Sequence, residues 1–180
     1  MYAVITGASS GIGEQLAKRL AKEGYDLILV ARRRERLTAL TDELRAAHKG
    51  LECDIFTADL MQLDECQRLS DYIEEKDVEI FINNAGYGDC GLFEETDIAK
   101  EIGMIDVNVR AVHFLTKKLL RQLRVKDRGF ILNVASSAGL IPAGPYMATY
   151  YATKAYVASL SRAVACELRQ NNSHVYVGCL

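Results

Sequence analysis

Six short and nearly all-apolar runs recur along this chain, each separated from the next by a longer stretch with helical spacing. The runs are "YAVI" (2–5), "DLILV" (26–30), "LECDIF" (51–56), "EIFI" (79–82), "GFILNV" (129–134) and "HVYVG" (174–178). Helical period fills 12–23, 34–48, 62–76, 97–124 and 149–171. Strands that alternate with helices are joined by crossovers, and such crossovers build a parallel sheet with right-handed connections. Runs that are apolar throughout, rather than alternating, indicate strands covered on both faces. The pattern predicts an α/β chain with a doubly wound, six-stranded parallel sheet between two helical layers. At 180 residues it is read as one domain, 1–180. In the fourth helical stretch, Ile98, Ile102, Ile105, Val109 and Val112 recur at spacings of three and four, which predicts one buried face.

Charge and cysteine usage narrow the setting. With 22 Lys and Arg against 24 Asp and Glu, the net charge of −2 argues for neither a nucleic-acid nor a membrane partner. Five cysteines, odd in number and without a Cys-x-x-Cys pair, suit a reducing cytosol better than a disulfide framework. The first strand begins at once, with no cleavable apolar leader, and no window reaches the roughly 18 apolar residues of a membrane span. The expected location is cytoplasmic. His48, His113 and His174 stand apart from one another and from any ligand-like grouping, so no metal is assigned.

In doubly wound sheets ligands bind beyond the carboxyl ends of the strands, so the residues after each strand matter most. After the first comes "TGASSGIG", with Gly7, Gly11 and Gly13 around Ser9, Ser10 and Ile12. Glycines there permit a tight turn and close backbone approach, while the helix that follows aims its amides at a pyrophosphate. A ligand-free glycine turn is the other reading, but the position between strand one and helix one favours a Rossmann-like dinucleotide site. After the second strand, "ARRRERL" has no acidic residue to accept from a ribose 2′-hydroxyl; it offers Arg32, Arg33 and Arg34. A guanidinium grips a 2′-phosphate in a fork, which points to NADP(H) over NAD(H), with Arg32 nearest the strand end. "TADL" places Asp59 and Leu60 where an adenine would lie, although Asp59 also reads as a helix N-cap. "NNAGYG", with Asn84, Ala85 and Gly86, is placed to line the same cleft.

"TGASSGIG", "ADL", "NNAG", "DVNVRA", "NVASSAG" and "YYATK" occur in one order from Thr6 towards Cys179, and together they resemble the short-chain dehydrogenase/reductase family. The resemblance implies hydride exchange between a nicotinamide cofactor and a small carbonyl or alcohol. It assigns Ser136, Tyr150, Lys154 and Asn108 as the catalytic group, with Ser137 a possible substitute for Ser136. Tyr150 and Lys154 would also touch the cofactor. Tyr72 and Lys76 repeat the Tyr-x-x-x-Lys spacing, but Ala58 stands where Ser136 stands relative to Tyr150, so that second pair reads as a surface stripe. A free phenol, with a reference pKa of about 10, exchanges protons poorly at neutral pH. Residues i and i+4 share a helix face, which sets the Lys154 ammonium to assist Tyr150. Asn108 is expected to hold a relay water. Segments 87–95 and 138–149, rich in small and apolar residues, are the expected substrate walls.

The resemblance further implies a Pro-Gly loop, a lid and a seventh strand beyond "HVYVGCL"; without them the last strand is expected to be a sheet edge open to pairing. Two functional expectations follow: an NADP(H)-dependent reductase, or a dinucleotide-binding module without turnover. The family commonly dimerises through its two long helices, here 97–124 and 149–171. The second carries Ala152, Ala155, Ser159 and Ala163 as a small face, so a homodimer or higher homo-oligomer is expected.

Overall fold

The computed structural model of the chain describes residues 1–142 and 144–180. Ala143, inside the expected wall 138–149, lies outside the described residues. The elements run β1 (Tyr2–Thr6), α1 (Gly11–Lys22), β2 (Asp26–Ala31), α2 (Arg34–Ala47), β3 (Cys53–Thr57), α3 (Leu63–Glu74) and β4 (Val78–Asn83). They continue with α4 (Ile98–Ile105), a π-helical turn (Asp106–Ala111), α5 (Val112–Lys126), β5 (Gly129–Asn133), a 3₁₀ turn (Ser137–Gly139), α6 (Ala148–Gln170) and β6 (Val175–Cys179). All the strand pairings are parallel, in the order β3-β2-β1-β4-β5-β6. The order reverses between β1 and β4, which opens a crevice at their carboxyl ends.

Two apolar layers cover the sheet. On one face Leu69 and Ile73 of α3 and Leu115, Leu119 and Leu123 of α5 pack with Phe81 and Ile131. On the other, Ala17 of α1 and Leu37, Leu40 and Leu44 of α2 pack with Ile5, Leu27 and Leu29. Full burial of a leucine stabilises by roughly 1.5–3 kcal/mol, so these side chains fix which helix lies on which face. α5 ends at Asp127 in the left-handed region (φ 45°). The Asp127 carboxylate accepts from Ser173 Oγ, His174 N and His174 Nδ1, tying the helix end to the start of β6. Among the described residues, no helix is long and apolar enough to cross a membrane.

Two expectations are corrected. The helix foreseen over 97–124 is continuous in path but interrupted by the π-helical turn, whose i→i+5 bonding rotates the residues after it relative to those before. The isoleucine stripe before that turn does not face the sheet. Ile98, Ile102 and Ile105 are 70%, 49% and 39% exposed, while Met104, Val107, Ala111 and Leu115 take the inner positions and Val112 is buried against α6. Periodicity detects an apolar face; it does not say what covers that face. The small residues Ala152, Ala155, Ser159 and Ala163 of α6 are likewise exposed, and Thr153, Lys154, Val157, Ala158 and Ser161 face inward instead.

Candidate active site

The turn after β1 is shaped by close approach. Gly7 has φ +67°, and a Cβ there would lie 2.8 Å from Asn84 Nδ2 and 2.9 Å from Ala85 Cα. A Cβ on Gly13 would fall 2.5 Å from both Asn84 Nδ2 and Gly7 O. Gly11, also at positive φ, faces open space. Thr6 stitches the two motifs together: its hydroxyl donates to Ile82 O and accepts from Asn84 N and Ala85 N at 2.9 and 3.0 Å. Asn84 Nδ2 returns a bond to Thr6 O. Ser10 occupies the N-cap of α1 with extended backbone but makes no capping bond with its side chain, so the first amides of the helix stay open.

A cleft of about 410 Å³ runs along the carboxyl ends of β1 to β5. Gly7, Ser9, Ser10, Ile12, Arg32 and Arg33 line one end; Asp59, Leu60, Asn84, Ala85 and Gly86 line its middle. Tyr150 and Lys154 close the other end, beside Val134 and Ala135. Arg32 makes no hydrogen bond or ion pair among the described residues. Burial raises the Tyr87 phenol pKa, and the charges of Arg32 and Lys100 oppose that rise. Arg33 reaches the glycine turn: its Nη2 donates to Ser9 Oγ at 3.0 Å and Ser10 Oγ at 3.1 Å. Asp59 is not the N-cap of α3, a place taken by Gln62. Its carboxylate accepts from Met61 N and holds the turn that exposes Leu60 to the cleft.

At the far end, Lys154 is 6% exposed and, among the described residues, forms no ion pair with a carboxylate. Its ammonium donates to Val134 O at 2.9 Å and lies 5.8 Å from the Tyr150 ring centroid. Desolvation lowers the Lys154 pKa, making this ammonium readier to yield a proton than an exposed one. The Tyr150 ring packs on Gly88, where a Cβ would stand 3.0 Å from the ring.

Ser136 is not brought into the lining of this cleft. It lies half-buried on the neighbouring groove with exposed Ser137, and its hydroxyl caps the 3₁₀ turn by accepting from Ala138 N. Asn108 sits on the π-helical turn, 1% exposed. Its amide is held by three bonds: Nδ2 donates to Tyr87 O and Thr153 Oγ1, and Oδ1 accepts from Tyr87 N. Thr153 in turn donates to Tyr150 O, so the side chain of Asn108 braces the first turn of α6.

Behind the site lies a buried polar network that sequence reasoning missed. Asn83 Nδ2 donates to Asn133 Oδ1 at 2.8 Å and to Thr116 Oγ1; Thr116 Oγ1 donates to Asn133 Oδ1; Asn133 Nδ2 donates to Ser161 Oγ. It locks the ends of β4 and β5 to α5 and α6. The signal available was a pair of asparagines, each at the end of an apolar run. Tyr72 and Lys76, by contrast, lie away from the cleft and both donate to Asp54 Oδ2. Burial and the Asp54 carboxylate raise the Tyr72 pKa, which holds that phenol protonated.

The short chain dehydrogenase family model matches residues 1–180. A very-long-chain 3-oxoacyl-CoA reductase of Podospora anserina is 36% identical over 171 residues, covering 93% of this chain and 50% of that protein. The bulky-bulky ketone specific alcohol dehydrogenase of Comamonas testosteroni superposes with a TM-score of 0.92 at 34% identity, over 99% of this chain and 70% of that one. A short-chain dehydrogenase of Sphingobium yanoikuyae in complex with NADPH gives 0.91 at 34% identity, over 99% and 68%. The chain spans about half the length of the curated relatives it matches. Sheet order, glycine turn and whole-chain match agree: the chain belongs to the short-chain dehydrogenase family of oxidoreductases.

Proposed function

We propose that this chain interconverts a carbonyl compound and its alcohol with NADP(H), Tyr150 acting as general acid and base. The observation that carries the reading is one continuous cleft with an unpaired arginine at one end and Tyr150 with a buried lysine at the other. A dinucleotide fits this cradle. Gly7 and Gly13 leave no room for a Cβ but leave the backbone open, and the uncapped start of α1 offers amides to a pyrophosphate. Arg32, free of any carboxylate, suits a 2′-phosphate, and Asp59 and Leu60 suit an adenine.

When bound, the nicotinamide supplies or accepts the hydride. The Tyr150 hydroxyl gives its proton to the carbonyl oxygen as the carbon is reduced, and takes it back in the reverse direction. Such general acid–base help is typically worth about 10²–10⁴ in rate. Lys154, desolvated and held on Val134 O, orients ribose hydroxyls and resupplies the Tyr150 proton. Ser136 would hydrogen-bond the substrate oxygen once its hydroxyl leaves the turn it caps. Asn108 acts through position, bracing Tyr150 by way of Thr153; a relay water there would be held by the main chain of the π-helical turn.

Phe93 and Tyr146 are exposed and share a small cavity with Tyr150, which favours an apolar ketone. The substrates named for the relatives, 3-oxoacyl-CoA and bulky ketones, are of that kind. We also read the chain as one domain and a homodimer. The outward Ile98, Ile102 and Ile105 of α4, and the small outer face of α6, support an interface between copies. The scattered cysteines keep a cytoplasmic location as our reading.

The test is NADPH oxidation across a panel of ketones and aldehydes, with Tyr150→Phe alongside. Turnover that vanishes in the variant while NADPH still binds is expected; turnover that survives overturns the role of Tyr150. A second reading, a dinucleotide-binding module without turnover, is favoured by Ser136 lying outside the cleft lining. NADPH binding with no turnover of any carbonyl would establish it.

A further inference from the structure

We infer that Glu101 is a positioning residue for Tyr150, its buried carboxylate tying the start of α6 to the wall 87–95; this rests on the reading of Tyr150 as general acid. Glu101 lies in the first turn of α4, is 8% exposed and forms no ion pair among the described residues. Lys100 beside it is committed to Asp89, at 2.7 Å. Both side-chain bonds of Glu101 run through one oxygen: Oε1 accepts from Thr149 Oγ1 and from Thr96 Oγ1, each at 3.0 Å. Thr149 immediately precedes Tyr150 in the first turn of α6. Thr96 immediately follows the wall 87–95 and grips it. Its hydroxyl also reaches Phe93 O at 3.1 Å, and a Cβ on Gly91 would stand 2.8 Å from its methyl. That wall packs on the Tyr150 ring through Gly88. One carboxylate thus holds Tyr150 by two routes, along the helix and through the wall. Glu101, Thr96, Thr149 and Tyr150 all line one cavity of about 20 Å³, little more than a water fills.

The site explains why the residue is acidic. A buried carboxylate without a cation is costly unless other groups stabilise it. Met147, the N-cap of α6, makes no side-chain capping bond, so the first amides of that helix keep their partial positive charge. An anion beside Thr149 answers that charge at the turn that carries Tyr150. The backbone next to it is strained: Tyr146 holds a left-handed φ of 66°, and its carbonyl accepts from Gly91 N at 2.8 Å. A non-glycine residue keeps such a conformation only where its surroundings impose it. The Gly91 bond and the Glu101 anchor do so from either side. Lys154 stands one turn further along α6 and is held separately, on Val134 O. Loss of the carboxylate therefore loosens Tyr150 and the wall while leaving the lysine and the rest of the cleft in place.

The experiment is steady-state kinetics of Glu101→Leu, Glu101→Gln, Thr149→Val and Thr96→Val with NADPH and the ketone of the panel that the wild-type chain reduces fastest. NADPH binding is titrated in parallel by fluorescence. Misplacing a catalytic group by about 1 Å costs on the order of 10²-fold, so Glu101→Leu is expected to lower kcat by about 10- to 100-fold. Its NADPH affinity should change by less than about threefold, since the cofactor residues keep their places. Glu101→Gln keeps an acceptor oxygen for both threonines and is expected to recover most of kcat. Thr149→Val should lower kcat with KM nearly unchanged, whereas Thr96→Val should act mainly on KM. A role in stability alone would lower Tm in each variant without dividing the two constants in this way. A kcat within about threefold of wild type in Glu101→Leu, or in Thr149→Val should Glu101→Leu fail to fold, overturns the inference and leaves the Tyr150 reading standing. A wild-type chain that binds NADPH but reduces no ketone overturns that reading, and the inference with it.

Discussion

Replacing Asn133 by leucine, close to it in volume, removes hydrogen bonds from the most deeply buried polar cluster without opening a large cavity. Asn133 Oδ1 accepts from Asn83 Nδ2 and Thr116 Oγ1, and its Nδ2 donates to Ser161 Oγ. After the change, Ser161 still donates to Val157 O, so it keeps a partner. One N–H of Asn83 and the hydroxyl proton of Thr116 are left without acceptors in a dry interior. Each orphaned donor costs roughly 1–3 kcal/mol, so Asn133→Leu should destabilise by about 2–6 kcal/mol. In a chain of this size that lowers Tm by on the order of 10 °C. Urea unfolding followed by circular dichroism measures it, with an unchanged m-value confirming the same two-state transition. Pairing it with Asn83→Leu should give a loss smaller than the sum of the two single losses, by at least about 0.5 kcal/mol. A loss under about 1 kcal/mol for Asn133→Leu alone would mean the network is dispensable, and the bracing of β4 and β5 would need another source.

Three further outcomes follow from the same geometry. A Cβ at residue 86 would stand 2.7 Å from Asn108 Oδ1, so Gly86→Ala should displace the brace and weaken NADPH binding by about tenfold, measured by fluorescence titration. Burial lowers the Lys154 pKa below its ordinary 10.5, so the unfolded chain binds more protons between the two values and stability rises with pH across that alkaline window. Lys154→Met should lack this rise, seen as a wild-type-minus-variant difference in urea midpoint that becomes more positive towards high pH. Ile102→Glu puts a charge into the outward apolar face of α4 and should shift the chain to a smaller species in light scattering, with its circular dichroism unchanged.

Strand and helix positions were legible because both faces of a doubly wound sheet are covered, which makes the strands apolar from end to end. Each strand start and end fell within two residues of its expected place. The cleft was legible too: Gly7, Asp59 and Asn84 were placed by following strand ends, and Tyr150 by the family resemblance of its motif. What sequence could not supply was direction. Ile98, Ile102 and Ile105 show the same spacing whether they meet the sheet or a second copy, and a π-helical turn leaves no mark in apolar period. Among Arg32, Arg33 and Arg34 the sequence ranks by nearness to the strand end alone; only the structure shows that Arg33 crosses to the glycine turn and holds two serines. Asn108 was singled out by resemblance alone, and its three hydrogen bonds to Tyr87 and Thr153 depend on partners 21 and 45 residues away.

Hydride transfer itself is the claim on which the account stands, and an isotope label reads it directly. The chain would be given NADPH deuterated at C4 with apolar ketones, and the alcohol product examined by mass spectrometry for deuterium on the carbinol carbon. The account predicts label in the product with wild type and none with Tyr150→Phe, although the variant still binds NADPH. Bound NADPH with unlabelled or undetectable alcohol from the wild-type chain would contradict it.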